Sequence, residues 1–169
     1  METLTQITLQ PLLAEHYPQV KAIYEQGIAT GNATFQTSAP TWETWDAVHL
    51  PHSRLVAITD SGKVAGWAAL SPVSGRCVYG GVAEVSVYLH EDFRGQGLGA
   101  RLLSQLIQES EANGMWTLQA GIFRENEASI GLHQKCGFRT VGMRERIGQL
   151  DGQWRDTVLL ERRSSTVGL

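Results

Sequence analysis

The ten residues Phe93–Leu102, FRGQGLGARL, place Gly95, Gly97 and Gly99 at alternate positions between an arginine and a leucine-rich run. Glycine adopts positive φ freely and lets a ligand approach the backbone closely. A Gly-x-Gly-x-Gly turn that opens a helix presents successive N–H groups where the helix dipole favours an anion, so phosphate is the chemistry it suits. The spacing alone is equally compatible with a plain strand-to-helix connection. Two other phosphate loops fit worse. A dinucleotide fingerprint starts after the first strand of a βαβ unit and needs an acid closing the next strand, whereas this turn follows the fourth expected strand and MWTLQAGI ends without an acid. A Walker A loop needs Gly-Lys-Ser/Thr, which the chain lacks.

Other reactive side chains are scattered. Cys77 and Cys136 have neither metal-ligand nor CxxC spacing, and His16, His49, His52 and His90 show no ligand spacing, so no metal is expected. These four histidines read as surface or packing residues. Cys136 reads as a small packing residue, since no base can be assigned to activate it. The tryptophans at 42, 45, 67, 116 and 154 read as core and interface mass rather than a binding cage.

The elements that must position such a turn follow from periodicity. ITL at 7–9 reads as a strand, and Val20, Ile23, Tyr24 and Ile28 fall at helical spacing in a segment closed by Gly31. TWETWDAVHL, 41–50, reads as a helix between Pro40 and Pro51, and LVAIT and KVAGWAAL, joined by DSG, as a hairpin. VAEVSVYL, 82–89, alternates Val85, Val87 and Leu89 with Glu84, Ser86 and Tyr88, which aims Glu84 away from the valine face. Leu98, Leu102, Leu103, Leu106 and Ile107 make one apolar stripe of a long helix stopped by Asn113-Gly114. MWTLQAGI is a strand, NEASIGLHQKC a short helix with Asn126 as N-cap, and the end reads strand, Asp-Gly turn, strand. The order β-α-α-β-β-β-α-β-α-β-β predicts one α/β (α+β) domain over 1–169, with its core at about 6–161 and a loose polar tail from Arg162.

Composition excludes several classes of partner. The 169 residues are 42% hydrophobic and 18% charged, ordinary for a globular chain, and the net charge of −3 without a basic block leaves no footprint for nucleic acid. No stretch approaches the ~20 apolar residues that cross a bilayer. METLTQITLQ has neither the basic nor the apolar region of a signal peptide, so a cytoplasmic location is expected, where the two cysteines would stay reduced.

Two segments carry a resemblance. VYLHEDFRGQGLGARLL resembles the acetyl-CoA signature of the GNAT N-acetyltransferase superfamily, and NEASIGLHQKCGF is similar to its next motif, an Asn-led helix ending in Gly-Phe. TFQT near residue 35, GRCVYGGVAEVSVYL, SIGLH and DGQWRDTVLL together resemble the phosphinothricin and methionine sulfoximine acetyltransferase subfamily, over roughly residues 6–161. The resemblance implies a mixed, mostly antiparallel central sheet with helices on both faces, splayed between its fourth and fifth strands, and acetyl-CoA held in the gap. It implies that the backbone of Val87, Tyr88 and Leu89 pairs with pantetheine like an added strand. The diphosphate would rest on Arg94, Gly95, Gln96, Gly97, Leu98, Gly99 and Ala100, and Asn126 would hydrogen-bond the pantetheine.

The same resemblance implies the chemistry. Glu84 stands at the position of the general base, where an apolar strand should raise its pKa, and an amine acceptor must lose a proton before it attacks a thioester. His133 stands where many superfamily members carry a tyrosine acid, matching this subfamily instead. Phe35, Arg76 and Tyr79 match positions around an acidic amino-acid substrate, and a homodimer is implied, with the site completed near the subunit boundary. The expected activity is transfer of acetyl to the α-amino group of a phosphinothricin, methionine sulfoximine or methionine sulfone type acceptor. A polyamine or aminoglycoside acetyltransferase, and a non-catalytic acyl-CoA sensor, are the alternatives.

Overall fold

The computed structural model describes residues 5–169, so the first four residues of the expected 1–169 domain lie outside the described residues. The chain runs β1 (Ile7–Pro11), α1 (Tyr17–Ala29), α2 (Trp42–Val48), β2 (Leu55–Thr59), β3 (Val64–Pro72), β4 (Val82–Leu89), α3 (Leu98–Ala112), β5 (Thr117–Phe123), α4 (Glu127–Lys135), β6 (Arg139–Leu150) and β7 (Gln153–Arg163). The strands form one sheet in the order β1-β2-β3-β4-β5-β7-β6. Neighbours are antiparallel except β4 and β5, as the expected mixed sheet requires.

Two apolar layers flank the sheet. Leu102, Leu103 and Leu106 of α3 are fully buried against Leu55, Ala68, Leu70 and Val85, burial that stabilises by about 1.5–3 kcal/mol per large side chain. Val20 and Ile23 of α1 and Trp45 of α2 pack on Val56, Val64, Trp67 and Ala69 on the other face. β3 is apolar on both faces because it is covered on both. β4 divides as its alternation predicts: Val85, Val87 and Leu89 face the α3 layer, and Tyr88 faces the α1 layer.

Local chemistry sets the ends of the elements. The α2 helix is shorter than TWETWDAVHL: Thr41 Oγ1 accepts the Thr44 N–H at 3.3 Å, and His49 is already extended. Leu50 precedes proline, a position biased away from helix, and its N–H donates instead to Leu70 O at 2.8 Å. The Asp-Gly turn between β6 and β7 is as expected, with both residues at positive φ. The tail differs. β7 continues to Arg163, and buried Ser164 donates through Oγ to Glu111 at 2.9 Å, where Arg162 also bonds at 2.9 Å. That pairing with Arg162 holds the Glu111 carboxyl below the usual range. The Arg163 guanidinium then ties down the carbonyls of Ser164 and Val167, so the segment expected to be loose is anchored by charge on α3.

Candidate active site

Parallel pairing between β4 and β5 is brief. It joins Val82 to Thr117, Ala83 to Leu118 and Glu84 to Gln119, and then stops, while β5 stays paired with β7 as far as Phe123. Beyond Glu84, the gap side of β4 has no strand partner. The unpaired edge opens into a groove of about 1230 Å³, which is the splay expected between the fourth and fifth strands.

One end of the groove is built by the glycine turn. Gly95 and Gly97 take φ of 75° and 79°, and Gly97 is the N-cap of α3 without a side-chain cap. The first N–H groups of that helix therefore have no intrahelical partner. A Cβ on Gly99 would sit 3.1 Å from Leu132 Cδ2, so its lack of a side chain lets α3 and α4 approach. Arg94, Gly95, Gly97, Gly99 and Ala100 line the groove with Val87, Tyr88 and Leu89, and these unpaired amides, an arginine and a free strand edge fit acetyl-CoA. The side chains of Leu98, buried in the core, and Gln96, whose amide donates to Asp92 O at 3.3 Å, are engaged within the protein, so these two residues offer the groove only their backbone N–H groups.

Asn126 stands at the head of α4. Its Oδ1 accepts the Ser129 N–H at 3.2 Å, and its Nδ2 donates to Asn32 O at 3.1 Å. The cap leaves one lone pair on Oδ1 for a ligand N–H. The segment that Asn126 holds, 32–36, lines the groove. Arg155 on β7 bonds Gly31 O at 2.8 Å, Asn32 Oδ1 at 2.6 Å and Glu125 Oε2 at 3.1 Å, with its guanidinium 4.2 Å from the Phe123 ring centroid. Phe35 in the same segment meets Phe123 edge-on at 4.7 Å and lines the groove.

Glu84 lies at the point where the strands part. It is exposed rather than sheltered by its apolar strand, and its carboxylate accepts from Gln119 Nε2 at 3.2 Å. Arg76 and Tyr79 do not line the groove of their own chain. Both are exposed on the β3–β4 connection, where a 3-10 turn over Cys77–Tyr79 follows Arg76 and the guanidinium packs 5.6 Å from the Tyr79 ring.

Two imidazoles line the groove. His133 on α4 is 4% exposed, and its Nδ1 is 2.7 Å from Ser129 O. His49, after α2, places Nδ1 2.6 Å from Trp45 O. A carbonyl only accepts, so each Nδ1 carries the proton and each Nε2 presents a lone pair. Burial pushes both pKa values down and keeps the rings neutral. In this state His133 offers its Nε2 lone pair as an acceptor. His49, expected to be surface or packing, lines the groove with Trp45, Trp67 and Tyr24 on the α2 side of Tyr88. The spacing of Trp45 and His49, one helical turn apart, was the available signal; their approach to β3 was not. Among the described residues no cluster of three His, Cys, Asp or Glu is placed to hold a metal.

The family model described as Acetyltransferase (GNAT) family matches residues 20–138. The phosphinothricin N-acetyltransferase of Alcaligenes faecalis is 35% identical across 92% of this chain and 81% of its own length. The L-methionine sulfoximine/L-methionine sulfone acetyltransferase of Pseudomonas aeruginosa is 39% identical over 63% of this chain and 62% of its own. A GNAT superfamily phosphinothricin acetyltransferase from Sinorhizobium meliloti, solved in complex with AcCoA, superposes with a TM-score of 0.86 at 28% identity, covering 96% of this chain and 90% of that one.

Proposed function

The chain belongs to the acetyltransferase (GNAT) family, and we propose that it moves acetyl from acetyl-CoA directly to the α-amino group of a small amino-acid-like acceptor. The observation that carries this reading is the meeting, in one groove, of a free β4 edge, a glycine-turn helix N-terminus and the exposed Glu84 carboxylate. The acceptor class is supported by the phosphinothricin and methionine sulfoximine or sulfone activities in the relatives' names.

Acetyl-CoA supplies an activated thioester whose thiol is the leaving group. The amides of the Gly95–Ala100 turn and Arg94 hold its diphosphate, and the gap edge of Val87–Leu89 pairs with its pantetheine. An amine acceptor is protonated at neutral pH, since the lysine reference pKa is ~10.4. Glu84 takes that proton, directly or through one water, and gap-facing N–H groups of β4 stabilise charge on the thioester oxygen. With a thiol of pKa ~8.5 departing, no strong acid is needed, which agrees with a neutral His133 that accepts through Nε2.

One domain spanning the chain, acting in the cytoplasm as a homodimer, completes the reading. Edge strand β6 exposes Val141, Met143 and Ile147, and Trp154 of β7 is 60% exposed, an apolar surface that a second copy would cover. Arg76 and Tyr79 then contact the acceptor only where two copies meet. A polyamine acceptor is the second reading, because the charges lining the acceptor side of the groove, Glu84 and Glu125, are acidic.

The test follows CoA thiol release with acetyl-CoA against phosphinothricin, methionine sulfoximine, methionine sulfone, ordinary amino acids and polyamines, in wild type and Glu84→Gln. Turnover of the amino-acid analogues, lost in the variant while acetyl-CoA still binds, is the expected result. Polyamine preference overturns the acceptor class, and acetyl-CoA binding without turnover overturns catalysis in favour of a sensor.

A further inference from the structure

The groove has an arm that the cofactor and Glu84 leave unused, between α2 and β3. Pro40, Thr44 and Val48 form its rim, Val48 being 51% exposed, and His49 and Trp67 form its floor beside Tyr24. The arm lies on the acceptor face. Trp67 pairs with Tyr88 in the β3–β4 register, four residues along the ladder from Ser71 and Glu84, and alternate residues share a face, so Ala69 and Ser86 lie between them on that face. The ring planes lock the floor: Trp67 stacks on Tyr88 at 13°, and His49 stacks on Trp45 at 24° with an edge turned to Trp67 at 87° and 6.5 Å.

Two polar atoms there are unspent. His49 Nδ1 is committed to Trp45 O, so Nε2 carries a lone pair where the ring lines the groove. Trp67 Nε1 is buried and has no acceptor among the described residues. A buried donor left unmade is costly, and a ligand that brings an acceptor to it recovers that cost. No Lys or Arg side chain is among the described residues that line the arm, and the groove's cations, Arg94 and Lys135, lie on the α3 and α4 side.

Resting on the proposed function, we infer that this arm is the acceptor side-chain subsite and selects an uncharged group that both donates and accepts, of sulfoximine or carboxamide type. The donor end meets His49 Nε2, and the acceptor end meets Trp67 Nε1. A sulfone only accepts, and so leaves the imidazole unpaired. A phosphinate also only accepts, and brings a negative charge toward Glu84 and Glu125, while the nearest cation behind the floor, Arg54, is committed to Asp46 and to the His49 carbonyl. Sites built around a hydrogen bond discriminate against analogues that cannot make it.

The experiment measures kcat/KM for L-methionine sulfoximine, L-methionine sulfone and phosphinothricin at saturating acetyl-CoA, in wild type, His49→Phe and Val48→Lys. Tryptophan fluorescence on titrating sulfoximine in the presence of CoA is the second readout. Wild type should prefer sulfoximine over sulfone by about tenfold or more, with phosphinothricin lowest, and His49→Phe should abolish the first gap. Val48→Lys, on the exposed rim, should raise phosphinothricin relative to sulfoximine by about tenfold. A wild type that prefers phosphinothricin, or a His49→Phe variant that slows all three equally, overturns the subsite. If none turns over but sulfoximine changes the fluorescence of wild type and not of His49→Phe, the proposed function fails and the subsite stands; with neither signal, both fail.

Discussion

The side-chain amide of Asn126 bonds the backbone carbonyl of Asn32 at 3.1 Å, joining the first residue of the α4 motif to a segment 94 positions earlier in the chain. The same side chain caps α4 through Ser129 N–H. Asn126 thus ties the head of α4 to the Asn32 segment, and both line the groove. Replacing it with Asp should keep the cap and lose the donor, while Ala loses both. Thermal unfolding should show Asn126→Ala less stable by about 1 kcal/mol and Asn126→Asp near wild type, with acceptor KM raised in both.

Arg155 secures that segment from the other side with two hydrogen bonds, to Gly31 and Asn32, and is itself held by Glu125 and the Phe123 ring. In Arg155→Met, amide hydrogen exchange over residues 31–36 should quicken and acceptor KM should rise several-fold, with acetyl-CoA affinity close to wild type. Global stability should fall by about 1–3 kcal/mol.

Glu84 should carry the proton transfer. Glu84→Gln retains the size of the side chain and its contact with Gln119, so the sheet should unfold as in wild type. We expect kcat to fall by about 10²–10⁴-fold, with acetyl-CoA binding by calorimetry unchanged.

Gly97 caps α3 at φ 79°, in the left-handed region. An alanine there costs about 1–2 kcal/mol of backbone strain, or relaxes by turning the N–H groups of the loop away. Gly97→Ala should therefore lower the melting temperature and weaken CoA more than it weakens dephospho-pantetheine fragments that lack the diphosphate.

Burial lowers the pKa of His49, His52 and His133 below the usual 6.5. Above that pH these rings are neutral in both folded and unfolded chains, and their contribution is fully present. As pH falls through 6.5, the unfolded chain binds protons that the folded one refuses, so stability falls, by up to about 1.4 kcal/mol per pH unit for each fully buried ring. Melting temperatures from pH 8 to 5 should drop at the acid end, and less steeply in His133→Phe.

Much of this was legible in local sequence. The leucines of α3, the alternation of β4, the cap at Asn126 and the Asp-Gly turn are each set by neighbours within one or two turns of chain, and all four are found in the structure. Glu84 was correctly aimed away from the valine face, but its exposure was not foreseen, because that depends on where β5 leaves β4. Arg76 and Tyr79 have suitable chemistry, yet their connection turns outward within this chain. The tail looked loose because its polar composition does not reveal that Glu111, on α3, is the partner of Arg162 and Ser164.

The sequence by itself determined the order of the elements, the faces of β4 and α3, and a turn of free amides at a helix N-terminus, because periodicity, capping and glycine conformation are properties of adjacent residues. Only the tertiary structure decided that β4 and β5 part after Glu84, that His49 and Trp67 meet on one floor, and that Asn126 reaches Asn32. Those outcomes rest on packing between residues far apart in the chain, and hydrophobic burial, which drives that packing, is non-directional.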